Sequence, residues 1–268
     1  VMVRRLKEDL RQIGVELPQR LVTPEVIDGL PPETPELKLA ELLNRYRERR
    51  NQRLAAASKR ERAAENLVIS NLQKRLLSSI AAFERTLQVH MSTLEKRAAK
   101  AGKERQIRLD TLDLLQNAID GDDERAESDE EELLLEADAQ HEAAVISALE
   151  ASAEEWELLR EMEGIAKEAR YRADCRVQRL EQLIREHLCP QLGRDGAEWN
   201  GERLLIFTEY ADTKDWLVRR VRELIAGSDQ ADDRIATFHG GIRDDRREAI
   251  KRSFNSPPES DPLRILIA

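Results

Sequence analysis

Aromatic side chains make up only 4% of the 268 residues, and no long apolar run occurs. A membrane-spanning helix needs about 20 consecutive apolar residues, so no membrane partner is expected. The start, VMVRRLKEDL, is charged and lacks the apolar core of a secretory leader. The two cysteines, Cys175 and Cys189, form neither a metal-ligand spacing nor a disulfide framework. They are expected as free thiols in a reducing cytoplasm, with no metal site. Neither a G-x-x-x-x-G-K-[S/T] loop nor a G-x-G-x-x-G turn opening a helix is present. This excludes a phosphate-binding loop and a dinucleotide fingerprint from these residues, and no catalytic residue can be named. Proline is missing between Pro35 and Pro190, so nothing of that kind interrupts helix over this span.

Charge is abundant. Charged residues are 36% of the chain and the net charge is −9, a composition that suits long solvated helices and argues against a general polyanion binder. The charge is uneven: Asp120 to Glu132 (DGDDERAESDEEE) holds nine acidic residues and one arginine, while RYRERRNQR from Arg45 to Arg53 is basic. A local nucleic-acid surface is compatible with that distribution.

Along the chain, residues 1–35 read as a connector. Val3 to Leu10 has a short helical pattern, Gly14 ends it, and Leu21 to Ile27 is expected as a short strand among prolines. From Leu37 the pattern is helical. Leu72, Leu76, Ile80, Phe83, Leu87, Met91, Leu94 and Ala98 step by three and four, which puts them on one stripe of a helix. A second stripe runs through Ile146, Leu149, Ala153, Trp156, Leu159, Met162, Ala166, Ala169 and Ala173. Two such helices joined by a polar break are expected to fold back as an antiparallel, coiled-coil-like hairpin within residues 36–190. Its alanines would allow close approach. The acidic segment near 120–132 would form its tip, either as a solvated end or as a docking site for a basic partner. Asp174 to Leu188 continues as an amphipathic helix.

Residues 191–268 change character. Leu204–Phe207 (LLIF) is a continuous apolar run expected as a parallel strand covered on both faces. Asp212 is placed as the N-cap of the helix that follows, whose buried face is Trp216, Leu217, Val221, Leu224 and Ile225. A second strand, Ile235–Phe238, leads into His239-Gly240-Gly241. Two glycines let a backbone approach a phosphate closely, and a tight strand-to-helix turn would use the same residues. A helix with Ile250 and Phe254 as core contacts follows, then a third strand in Leu263–Ala268 (LRILIA). Strands alternating with helical stretches predict a parallel sheet with crossover helices, so the fold class is α/β plus α.

The ordered series FTEY, FHGG, R-x-x-x-I-x-x-x-F-N and R-I-L-I-A resembles motif IV through the entrance to motif V in the second RecA-like lobe of superfamily-2 helicases. Upstream, RRLKEDL with ELPQR is similar to the junction that leaves the first lobe of Swi/Snf-type ATPases. LQKRLLSSIAAFERTL (Leu72–Leu87) resembles the bacterial RapA/HepA-like branch, including the Swi/Snf-like helicases of phage-defence islands. The likeness covers about residues 1–90 and 174–268. It implies a fragment of an ATP-dependent translocase or helicase, a hydrolase acting on double-stranded DNA with ATP and magnesium. The fragment would carry the inter-lobe region and the first half of the second lobe, stopping before motif V is complete, and would be inactive alone. The resemblance implies that Thr208, Glu209, His239, Gly240, Gly241 and Arg243 form a DNA-backbone surface. Thr208, the glycine amides and Arg243 would meet phosphate, and Glu209 would orient its neighbours. Arg4, Arg5 and Lys7 either line the cleft or face solvent. A protein partner for the helical arm, such as RNA polymerase or a defence-system component, is a further expectation. The competing reading is a non-catalytic helical scaffold with a small α/β cap.

Overall fold

Helix caps decide where each helical segment begins. The computed structural model describes residues 21–54, 57–100, 138, 140–142, 144, 145 and 150–268. Helix α1 (Pro35–Arg53) opens with proline at its first position, where the missing N–H costs nothing, and has Glu36 early with Arg50 and Arg53 late, matching the helix dipole. Helices α2 (Lys59–Ser78) and α4 (Ala153–Ala169) each start with a capping box, Ser58 with Glu61 and Ser152 with Glu155. Helix α3 (Ile80–Lys100) lies between them.

The single helix expected from Leu72 to Ala98 is two helices, broken at Ser79. That residue is extended (φ −162°, ψ 157°). Its N–H closes α2 by donating to the Arg75 carbonyl at 2.9 Å, and its Oγ opens α3 by accepting from the Ala82 N–H at 3.1 Å. Leu72, Leu76, Ile80, Phe83, Leu87, Met91 and Leu94 are all buried on either side of the break, which is why their spacing concealed it. Ala98 is exposed.

Helix α1 packs on α2 and α4, α2 on α3, and α3 on α4. They share one core containing Leu39, Tyr46, Leu72, Phe83, Leu159 and Met162, joined by Ala144 and Val145. The α3 and α4 segments of the expected hairpin pack on each other inside a bundle whose other walls are α1 and α2. Of the second stripe, Leu159, Met162, Ala166 and Ala169 are buried, Trp156 is half-buried and Ala153 is exposed. The acidic segment 120–132, Ile146 and Leu149 lie outside the described residues. A buried ion cluster stitches three helices together. Arg50 Nε donates to Glu65 at 2.9 Å and its second nitrogen also meets that carboxylate, while Arg50 reaches Glu155 at 3.2 Å and Arg53 reaches Glu155 at 2.7 Å.

Helix α5 (Cys175–Leu183) is capped by Asp174, which accepts from the Val177 N–H at 2.9 Å, and runs on as a π-helical turn, Ile184–Leu188. The α/β part follows: β1 (Leu204–Ile206), α6 (Ala211–Ile225), β2 (Ile235–Thr237), α7 (Asp244–Asn255) and β3 (Ile265–Ile267). The three strands are parallel in the order β1-β3-β2, with Ile206 and Thr237 both registered on Ile267. Trp216, Leu217, Val221 and Ile225 of α6 pack on Ile235, Ile265 and Ile267, together with Val177 and Ile184 from α5 and its extension; Leu224 is partly buried there.

Three expectations need correction. The LLIF run is not covered on both faces: Leu204 and Ile206 pack toward the core, whereas Leu205 is 41% and Phe207 78% exposed, because β1 lies at the edge of the described sheet. Asp212 does not cap α6; Tyr210 holds the N-cap position without a side-chain bond. Ile250 and Phe254 are half-buried rather than core, and α7 has no fully buried residue. The chain divides at Leu30, with Pro31–Ala268 as one unit. In the other unit, described residues 21–30 contain no strand, and Leu21, Val22 and Val26 are exposed. Among the described residues no helix is long and apolar enough to cross a membrane.

Candidate nucleic-acid interface

The parallel sheet sends the loops after β1 and β2 out of the same edge, the one at which open α/β sheets hold ligands. The ladder continues past the strands: the Thr208 N–H donates to the Ala268 carbonyl and the Phe238 N–H to the Ile267 carbonyl, both at 2.8 Å. With β3 between them, the two loops start roughly 10 Å apart, twice the usual strand spacing. Thr208 and Glu209 are thus brought to one edge with His239, Gly240, Gly241 and Arg243. Arg4, Arg5 and Lys7 lie outside the described residues.

In the first loop the Thr208 amide is spent on the sheet. Its hydroxyl accepts from the Tyr210 N–H at 3.5 Å and keeps its own proton to donate. Glu209 is exposed, 3.9 Å from Lys74. The Tyr210 ring lies under the Arg75 guanidinium, 4.0 Å from its centroid. Burial, then the neighbouring Glu209 charge, pushes the Tyr210 hydroxyl above its ordinary pKa.

In the second loop His239 to Ile242 form a turn closed by the Ile242 N–H on the His239 carbonyl at 3.3 Å. Arg247 ties it down by donating to the Gly240 carbonyl at 2.7 Å. Arg243 precedes α7 and is 86% exposed, with Asp245 at 3.1 Å. Both α6 and α7 direct their N-termini to this edge, where anions are favoured. Against that, Glu209, Asp244 and Asp245 are exposed carboxylates. The edge is of mixed charge, suited to a few directed phosphate contacts and not to a broad electrostatic grip.

Behind the first loop lies an ion cluster that the sequence reading missed. Asp212 meets Arg85 at 3.1 Å and Arg75 at 3.4 Å, and Arg85 also meets Asp138 at 2.9 Å. The hydroxyls of Ser78 and Ser79 sit 2.7 and 2.8 Å from that of Thr213. Burial pushes the Asp212 carboxyl up and the Arg75 guanidinium down in pKa, against their mutual attraction. The signal available in the sequence was Ser78-Ser79 inside a helical run, since serine favours an N-cap over a helix interior. An open cavity of about 460 Å³ adjoins this loop, with Lys74, Leu77, Phe207, Thr208 and Trp216 in its lining.

A second polar cluster lies inside the bundle. Tyr46 Oη and His90 Nε2 are 2.8 Å apart, and the His90 and His141 rings meet edge to face at 5.5 Å. Among the described residues, His90 Nδ1 and both ring nitrogens of His141 are buried without a hydrogen-bond partner. Burial lowers the His141 pKa to about 4 and holds that of His90 well below the ordinary imidazole value.

Cys175 and Cys189 are free thiols. Among the described residues no cluster of three or more His, Cys, Asp or Glu side chains is arranged to hold a metal. No protein-family model, curated protein or solved structure matches the chain.

Proposed function

We propose that this chain is the inter-lobe and second-lobe portion of an ATP-driven DNA translocase of the Swi/Snf type, in its bacterial RapA/HepA-like branch. In this reading the sheet is part of a RecA-like lobe working in the cytoplasm, and the residues at its carboxyl edge meet the backbone of double-stranded DNA. The observation that carries the reading is the coincidence of motif and topology. FTEY and FHGG, recognised as words in a fixed order, end two parallel strands that flank β3, so their loops share one edge. Thr208, Gly240, Gly241 and Arg243 supply donors to phosphate oxygens. His239, on the same edge, is a further donor to phosphate, and Glu209 orients its neighbours. ATP and magnesium belong to the larger protein, and no chemical step is assigned to residues of this chain.

The scaffold reading draws on a different observation: the larger hydrophobic core belongs to the helical bundle and not to the sheet. A partner for the helical region, such as RNA polymerase or a defence-system component, is compatible with either reading.

Two measurements separate the readings. ATP hydrolysis by the full parent protein should rise strongly when duplex DNA is added. The present chain should bind a 20-base-pair duplex weakly, and log affinity should fall linearly with log salt at a slope of about −2 to −4, as for two to four phosphate contacts. No binding at 20 mM salt together with no stimulated hydrolysis would leave the scaffold.

A further inference from the structure

The helix break at Ser79 and the first turn of α6 meet at a junction built from both sides of the break. Arg75 comes from α2, before Ser79, and Arg85 from α3, after it, yet both reach the same Asp212 carboxylate at 3.4 and 3.1 Å. The serines at the break itself bind the Thr213 hydroxyl at 2.7 and 2.8 Å. Arg75 also covers the Tyr210 ring at 4.0 Å. Tyr210, Asp212 and Thr213 are thereby held by the helical bundle, directly behind Thr208 and Glu209. A continuous α2–α3 helix would not present these groups in the same way, because the extended Ser79 sets the direction in which α3 leaves α2.

The charges make the junction more than a brace. Asp212 lies in the first turn of α6, where its carboxylate competes with any phosphate for the helix N-terminus. Alone, Glu209 and Asp212 would give the first loop two negative charges. Arg75 and Arg85 offset Asp212, and Asp138 offsets the surplus on Arg85. Asp212 and Arg75 are mostly shielded from solvent, with side-chain exposures of 16% and 9%, so salt screens this compensation far less than it screens the loop's own contacts.

We propose that Arg75 is a positioning residue for the DNA-contacting loop: with Arg85 it clamps and neutralises Asp212, so that the helical bundle sets whether Thr208 can present its hydroxyl to a phosphate. This rests on the duplex-binding reading above and adds to it a control element in the helical region. Because the clamp draws one arginine from each side of the break, a change in the angle between α2 and α3 separates them and uncovers the carboxylate. A ligand that bends the bundle would thus weaken DNA contact without touching the loop.

The test uses the whole chain and a fluorescent 20-base-pair duplex at 50 mM salt, with amide hydrogen exchange of residues 208–213 measured in parallel. Arg75→Gln should weaken duplex binding about tenfold and speed exchange in that segment. Adding Asp212→Asn to Arg75→Gln removes the uncovered charge and should restore part of the affinity, with the remainder still lost because exchange in the segment stays fast. Arg75→Lys keeps the charge, loses the flat contact with Tyr210 and should fall about threefold short of the unaltered chain. If Arg75→Gln does not fold, Arg75→Lys carries the test, and affinity and exchange both equal to those of the unaltered chain would overturn the proposal. Equal affinity for Arg75→Gln, or a loss that Asp212→Asn does not reduce, also overturns it. If the unaltered chain binds no duplex, the DNA reading fails; unchanged exchange in Arg75→Gln then overturns the positioning role separately.

Discussion

The bundle hides charge, and the sheet shows hydrocarbon to water. Inside the bundle Arg50, Glu65 and Glu155 are all buried, although charged groups are seldom buried unless paired. At the sheet edge Leu205 and Phe207 remain exposed. The difference follows from how each part is specified. The apolar stripes of α1–α4 would tolerate several helix rotations, and a buried charge cluster that fits in one arrangement discriminates among them. In the sheet the register of β1 and β2 on β3 follows from the apolar pattern, because a one-residue slip would turn Leu204 and Ile206 away from the core, and its buried Arg234 and Arg264 bond to backbone carbonyls in place of carboxylate partners across a core. Polar matching inside one part and apolar alternation inside the other should therefore fail in different ways when altered.

The largest effect is expected at Arg50. Arg50→Met replaces a long side chain by one of similar reach but leaves the Glu65 and Glu155 carboxylates buried with a lost partner. Removing one member of a buried ion pair costs about 3–5 kcal/mol, which in urea unfolding would appear as a lower midpoint with little change of slope. Arg50→Met combined with Glu65→Leu should recover much of that loss, because Glu155 keeps Arg53 and its bond from the Ser152 N–H. If the single variant loses less than about 1 kcal/mol, the cluster is decoration and the contrast with the sheet collapses.

Legibility divides along the same line. The parallel sheet, its helices and the α6 core face could be read from LLIF, RIATF, RILIA and the Trp216–Ile225 spacing, because apolar period and strand length are local properties. The two candidate loops were legible as motif words, and topology alone brings them to one edge. The clamp behind them was not legible: Arg75 and Asp212 are 137 positions apart, and no local pattern pairs them. The break at Ser79 was missed because the apolar stepping runs through it, although Ser-Ser within a helical run carried the signal. Aspartate at the start of a helix usually caps it; here two arginines from the bundle take the Asp212 carboxylate. Leu205 and Phe207 were read as covered because continuous apolar runs normally belong to central strands, and sequence does not say which strand lies at the edge.

A second and somewhat smaller effect concerns pH. His141 is neutral in the folded chain, with its pKa lowered from 6.5 to about 4 by burial, with Arg75 adding to the shift; Tyr46 and Arg50 lie near its partner His90. A depressed histidine favours the folded state fully above its unfolded pKa of about 6.5, and that contribution is lost as pH falls toward the folded value. At about 1.4 kcal/mol per unit, His141 alone should account for a loss of about 2 kcal/mol by pH 5 and about 3 kcal/mol by pH 4. Chemical unfolding at pH 7 and pH 5 measures it. In His141→Leu the difference between the two pH values should shrink by about that amount, and an undiminished difference would assign the acid sensitivity to carboxylates elsewhere.

The smallest effect is expected where the sheet shows its hydrocarbon. Phe207 is 78% exposed and Leu205 41%, so most of their apolar area is already in water when the chain is folded. Truncation then removes little burial, and surface changes of this kind stay within about 0.5 kcal/mol. Leu205→Thr puts a β-branched residue suited to a strand at that position, and Phe207→Ser sits beyond the last residue of β1; neither touches the Thr208–Ala268 or Phe238–Ile267 hydrogen bonds, which are made by the backbone. The double variant should therefore unfold at nearly the same urea concentration as the unaltered chain. A loss above about 2 kcal/mol would mean that these side chains are buried in solution, and the sheet would then resemble the bundle in being covered on this side too.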